Sequence, residues 1–135
     1  PHVRASFHNM GIETNRSTLV YSLIEGISFG LFDNYQALSK TGIKLNNLFV
    51  IGGGSKNEDW IKLLASILDR DLAITEASDA MAAYGAARLA YLGYNNLKHE
   101  DVLRPPSVKK VIERDNSMSP ILQDRFAQWK NYYVK

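Results

Sequence analysis

Four apolar residues, Leu48-Phe49-Val50-Ile51, run directly into Gly52-Gly53-Gly54, and a helix-start signal follows at once. A short continuous apolar run stopped by turn residues suits a strand buried on both faces. Ser55-Lys56-Asn57-Glu58 reads as a capping box, in which Ser55 and Glu58 satisfy each other's backbone N–H groups. Trp60, Ile61, Leu63, Leu64, Ile67 and Leu68 continue as a helix to about Asp69. Leu72-Ala73-Ile74-Thr75 reads as a second strand. Ser78 or Asp79 starts another helix, which carries Met81, Ala82, Tyr84, Ala86, Leu89 and Leu92 and closes at Gly93. Strand, helix, strand and helix with short joints make a right-handed βαβ unit with parallel strands.

The flanks add helices rather than sheet. Residues 1–16 read as an irregular polar loop. Leu19, Leu23, Ile27 and Leu31 then recur at i, i+4 spacing in a helix that Ser17 or Thr18 caps and Gly42 ends. Its wide apolar face predicts a mostly buried helix. Gly26 and Gly30 lie on one side of it, and because glycine costs on the order of 1 kcal/mol in a helix, a close backbone contact is expected there. After Pro105-Pro106, 108–112 reads as a short edge segment, and Ser119-Pro120 opens a final helix with Ile121, Leu122, Phe126, Trp129, Tyr132 and Tyr133. The chain divides into a loop (1–16), a helix-strand-helix-strand-helix core (17–94) and a tail with its terminal helix (95–135). Two core strands are few for 135 residues, and the first residue is Pro1. The expectation is therefore part of a domain, or a processed chain.

Composition removes several functions. With 16 Lys+Arg against 14 Asp+Glu the net charge is +2, which gives no electrostatic case for nucleic acid. There is no cysteine, hence no disulfide, thiol chemistry or cysteine zinc site. No apolar run is long enough to cross a bilayer and no leader pattern opens the chain, so a cytoplasmic protein without membrane partners is expected.

The glycine corner is the main candidate for chemistry. Glycine lets a ligand approach the backbone without meeting a Cβ. The first N–H groups of a helix are unpaired and carry roughly half a positive charge, which suits a phosphate. Two readings stay open from the residues alone: a tight turn that needs small side chains, or an anion seat. The sequence lacks the Gly-Lys-Ser/Thr ending of a P-loop. The dinucleotide fingerprint is met at Gly52 and Gly54 but has Asn57 in its third position, with Glu76 as its downstream acid. A Rossmann-type cofactor domain and a non-catalytic binding module thus remain alternatives. His2, His8 and His99 are scattered, so no metal ligand set is expected, and no G-x-S-x-G elbow is present. Glu58 and Asp59 read as dipole complements and Lys56 as a solvated or phosphate-touching lysine. Gly85, among alanines, marks a helix side open to close packing or to a flat ring.

Four stretches in order resemble the C-terminal part of the FGGY carbohydrate kinases, closest to their xylulokinase branch. Pro1-His2-Val3-Arg4-Ala5-Ser6-Phe7 is similar to the family's Asp-Pro-x-x-Arg-Gly-x-Phe stretch, and Leu23-Ile24-Glu25-Gly26-Ile27-Ser28-Phe29 to its Leu-Glu-Gly-Val-x-Phe helix. The stretch from Ile51 to Trp60 resembles the adenosine motif, and 82–90 the Ala-x-Gly-Ala-Ala-x-Leu-Ala helix. Ala5 and Asn9 stand where the family has glycine.

The resemblance implies an α/β fold: part of a ribonuclease H-like, actin-like ATPase lobe, with short parallel strands and several packed helices. It implies ATP with Mg2+ as cofactor and a sugar as acceptor, most closely D-xylulose. It assigns nucleotide contact to Gly52, Gly53, Gly54, Ser55 and Asn57, with Asn57 by the adenine. The catalytic aspartate and most sugar contacts would lie in a lobe that this chain does not contain. No catalytic residue is assigned here, and the chain alone is expected to be inactive. An incomplete sheet also leaves an open edge, from which a homodimer is expected.

Overall fold

The computed structural model describes residues 4–76, 78–102 and 104–133. Helix α1 (Arg16–Ser39) begins earlier than Ser17 or Thr18 would have it. Asn15 is the N-cap, and its side chain accepts from the Thr18 N–H at 3.1 Å. Asparagine is among the strongest capping residues, so the flanking serine and threonine fall inside the first turn. At the other end Gly42, at φ +83°, turns the chain.

Strands β1 (Phe49–Val50), β2 (Leu72–Thr75) and β3 (Val108–Ile112) form one sheet in the order β1-β2-β3. The expected βαβ unit is present: β1 and β2 are parallel, with Phe49 opposite Ala73, and α2 (Glu58–Leu68) connects them. β3 adds an antiparallel edge on the far side of β2, with Val111 opposite Ala73. Only two of the four apolar residues before the glycines are in β1, and the strand is not buried on both faces. Phe49 is 36% and Ile51 51% exposed, because β1 is a sheet edge and a helix covers only one face.

Helix α2 is the wall that two apolar clusters share. Toward the sheet, Ile61, Leu64 and Ala65 pack with Leu72, Ile74 and Ile112. Toward the other helices, Leu63 and Ile67 pack with Phe29 and Phe32 of α1 and with Leu122 and Phe126 of α5 (Ser119–Tyr133). This arrangement overturns the expected burial of α1. Its buried residues are Glu25, Ser28, Phe29 and Phe32, whereas Leu23, Ile27 and Leu31 are 53%, 47% and 45% exposed. Phe29 and Phe32 both pack against Phe126, and the larger rings take the side that faces a partner. Among the described residues no backbone comes within 4 Å of a Cβ placed on Gly26 or Gly30. A Cβ on Gly26 would first meet Trp129 Nε1 at 3.9 Å, and one on Gly30 would meet nothing within 4 Å.

Helix α3 spans Met81–Asn95 and has Leu92 as its single buried residue among those described. It starts after Ser78 and Asp79 because both side chains are engaged elsewhere, Ser78 with Ser55 and Asp79 with Lys56. It also runs past Gly93, closing at Asn96 with φ +52°. A short helix α4 (His99–Val102) follows, which periodicity did not signal.

The last third of the chain is bonded into the core. The Asp115 N–H donates to Ser66 Oγ, and Gln123 Nε2 donates to the Ile67 carbonyl. The Ser119 hydroxyl donates to the Ser66 carbonyl rather than capping its own helix. Arg125 and Lys130 of α5 pair with Glu25 and Asp33 of α1 at 2.7 and 2.8 Å. The opening loop joins the same helix: the His8 ring stacks on Tyr132 at 4.1 Å, and Asn9 Nδ2 donates to the Tyr132 hydroxyl.

Candidate functional site

The glycine corner folds as a 3-10 turn (Gly53–Lys56) between β1 and α2. Gly52 enters it at φ +90°, a backbone angle that side chains strain to adopt, and its N–H donates to the Ser78 carbonyl at 2.7 Å. Ser55 is buried. Its hydroxyl donates to the Gly52 carbonyl at 2.7 Å and hydrogen-bonds the Ser78 hydroxyl at 2.6 Å. These bonds fasten the loop to the segment that follows β2, so Ser55 fixes the loop's shape. The expected Ser55–Glu58 capping box does not form. The 3-10 turn consumes Ser55, and Asn57 becomes the N-cap of α2 by accepting the Trp60 N–H at 3.1 Å. Glu58 reaches instead to Lys110 of β3, at 2.6 Å.

The two sides of the loop differ. Behind Gly54 lies Trp60: a Cβ there would come within 3.0 Å of the ring, whose Nε1 donates to Ser28 of α1 at 2.9 Å. At Gly52 and Gly53 a Cβ would meet nothing within 4 Å, so bare backbone faces outward. Beside it, Lys56 and Asp79 form an exposed ion pair at 2.9 Å. The hydrogen bond between them raises the lysine's pKa and lowers that of Asp79 below the usual carboxylate range. Gly52, Gly53, Gly54, Ser55 and Asn57 thus share one corner. Gly53 is exposed and Gly52 leaves its Cβ side open while its N–H and carbonyl are bonded within the protein; Ser55 and Asn57 organise the turn and the helix start.

Other sequence candidates lie elsewhere. Glu76 lines a groove of about 440 Å³ with Tyr84, Arg88 and Arg104. The Arg88 guanidinium stacks on Tyr84 and donates to the carbonyls of Val102 and Arg104. A larger, shallow cavity of about 590 Å³ runs along 111–117 and Lys62. Neither is lined by residues 52–57. Among the described residues nothing lies within 4 Å of a Cβ placed on Gly85, so no helix backbone packs there. Pro1, His2 and Val3, which open the first resembling stretch, lie outside the described residues. Asn9, where the family has glycine, takes φ +57°, a left-handed angle that asparagine tolerates better than most residues. The contacts of Ser28 with Trp60, Ser78 with Ser55 and Asp79 with Lys56 could not be read from the sequence, because each joins residues 23 or more positions apart.

Residues 1–94 match the model of the FGGY family of carbohydrate kinases, C-terminal domain. The chain belongs to the FGGY family of carbohydrate kinases. It is 31% identical over 91 residues to a xylulose kinase of Staphylococcus xylosus, covering 67% of this chain and 19% of that one. Among solved structures it is similar to a xylulose kinase of Brucella ovis, with TM-score 0.86 and 30% identity over 98% of this chain and 27% of that one. A Plasmodium falciparum glycerol kinase with ADP superposes with TM-score 0.71 at 24% identity, covering 98% of this chain and 26% of that one, a likeness of fold. The FGGY chain described here therefore spans about a fifth to a quarter of the length of these relatives. Its strands and helices are part of an actin-like, ribonuclease H-like α/β lobe. No described helix is long and apolar enough to cross a membrane.

Proposed function

We propose that this chain supplies the nucleotide-facing part of an ATP-dependent sugar kinase whose acceptor is D-xylulose. The observation that carries this reading is the side-chain-free backbone at Gly52 and Gly53, set between a sheet edge and the capped start of α2. Its shape fits a phosphate or ribose lying flat on the backbone. Trp60 stiffens the loop from behind, and Ser55 holds it to Ser78. Lys56 stands where it can exchange Asp79 for a phosphate oxygen, and the Asn57 amide Nδ2 stays available for a base edge once its oxygen has capped α2. The xylulose kinases among the relatives support the acceptor, and the ADP-bound glycerol kinase supports the nucleotide.

When bound, ATP supplies the phosphoryl group. This chain's part is to hold and orient the nucleotide. Among the described residues no group of three or more histidines or carboxylates is placed to hold a metal. Mg2+ would ride on the nucleotide's phosphates. The family resemblance puts the catalytic base outside this chain, so the chain alone would transfer no phosphate.

The test is calorimetric titration of MgADP into the chain and into Gly53→Val. Gly53 faces open space, so the variant keeps its fold while a branched side chain covers the seat. Binding weakened at least tenfold in the variant supports the reading, and equal binding, or none to either protein, contradicts it.

A further inference from the structure

Serine and aspartate are among the strongest helix caps, and Ser78-Asp79 stands just before α3. Neither caps it. The N-cap is Ala80, which makes no side-chain bond, and both polar side chains turn instead to the glycine corner. Ser78 closes a ring of three hydrogen bonds there. The Gly52 N–H donates to the Ser78 carbonyl at 2.7 Å, and the Ser55 hydroxyl donates to the Gly52 carbonyl at 2.7 Å. A hydroxyl has one proton. With that of Ser55 committed to Gly52, the 2.6 Å contact between the two serines is donated by Ser78. Asp79 holds the next loop residue, Lys56, at 2.9 Å. A helix start left uncapped while its best capping residues serve a loop is the kind of local conflict that accompanies function.

We propose that Ser78 is the positioning residue that holds the glycine loop in the shape a nucleotide's phosphates require. The proposal rests on the nucleotide-facing reading of Gly52 and Gly53 and adds to it a residue from the far end of β2. Ser78 acts through Ser55 and Gly52 rather than on the ligand. Gly52 is where the backbone takes φ +90°, and that angle decides which way the exposed Gly53 faces. Ser55 is 3% exposed, so removing the Ser78 hydroxyl leaves a buried oxygen short of a donor. The loss falls on the loop and not on the core, because Ser78 belongs to neither apolar cluster. A loop that the nucleotide must itself put in order binds that nucleotide more weakly.

The test compares the full chain with Ser78→Ala and Ser78→Thr in two measurements. Hydrogen exchange of the Gly52 amide is followed by NMR without nucleotide, and MgADP affinity is measured by calorimetry. Ser78→Ala should speed Gly52 exchange about tenfold and weaken MgADP about tenfold, with the circular dichroism spectrum unchanged. Ser78→Thr keeps the hydroxyl and should return both values to within about twofold of the parent. Gly52 exchange that ignores the alanine would overturn the proposal. So would faster exchange with unchanged MgADP affinity, or a threonine that fails to restore the two together. A parent that binds no MgADP, although its Gly52 amide is slow and depends on Ser78, would sink the nucleotide reading and the proposal with it, while the ring of bonds stands. Because the exchange measurement uses no nucleotide, it tells these failures apart.

Discussion

Helices α2 and α3 flank the same strand, yet they live in different surroundings. In α2 the residues Ile61, Leu63, Leu64, Ala65, Ser66 and Ile67 are buried, pressed between the sheet and two other helices. In α3 the alanine-rich face lies open and Tyr84, Leu89 and Tyr91 are 55% to 60% exposed. Both sequences are apolar enough to be core. What separates them is whether this chain supplies the opposing surface, and for α3 it does not. Burial therefore follows partners rather than hydrophobicity alone, and the glycine corner is fastened beside the start of the more exposed helix.

The largest expected effect tests that contrast. Phe126→Ala removes a ring packed against Phe29, Phe32 and Trp129 and should cost about 3–5 kcal/mol in urea unfolding. Leu89→Ala on α3 should stay within about 0.5 kcal/mol. Comparable losses at both sites would break the comparison.

Next is the pair that ties α5 to α1. Glu25 is buried, and its Oε1 has no hydrogen-bond partner among the described residues. Burial raises its pKa, and Arg125 only partly opposes this. Arg125→Met should cost about 1–3 kcal/mol by leaving the carboxylate unpaired. The sign with pH follows from a raised folded-state pKa. The unfolded chain ionises first, so Glu25 withdraws stability as pH climbs from the ordinary glutamate value through the raised one. Glu25→Gln should therefore gain melting temperature relative to the parent as pH rises above the ordinary glutamate value and match it below. A constant difference across that range would refute the assignment.

Smaller effects distinguish the two sides of the glycine loop. Gly54→Ala presses a methyl on Trp60 and should cost about 1–3 kcal/mol, whereas Gly53→Ala should be nearly silent in stability. The smallest is Asn9→Gly. It relieves a left-handed residue in the family's glycine position and should change stability by only a few tenths of a kcal/mol, read as a small shift in the urea midpoint.

The sequence made some of this legible. Leu72-Ala73-Ile74-Thr75 and 108–112 are strands at the expected residues: each is short, holds β-branched residues (Ile74 and Thr75; Val108, Val111 and Ile112) and follows a polar or proline-containing break. At the glycine corner the order strand, turn, helix was legible, but the expected Ser55–Glu58 capping box was not what forms: Ser55 is bound to Gly52 and Ser78, and Asn57 caps α2. The stripe Leu23, Ile27, Leu31 shows why the rest was not. Its periodicity is real, but periodicity says that a face wants burial and not who buries it. The Ser55–Ser78, Lys56–Asp79 and Trp60–Ser28 contacts were hidden for a related reason: each joins residues 23 or more positions apart, a distance that no local motif encodes.

The most direct test of the central claim is an amide map of the full chain by two-dimensional NMR during titration with MgADP. The account predicts that the N–H signals of Gly53, Gly54 and Asn57 move first and furthest, and that Gly53→Val removes the response. Signals that stay fixed there while those around Glu76, Tyr84 and Arg88 move would place the ligand in the other groove and contradict the account.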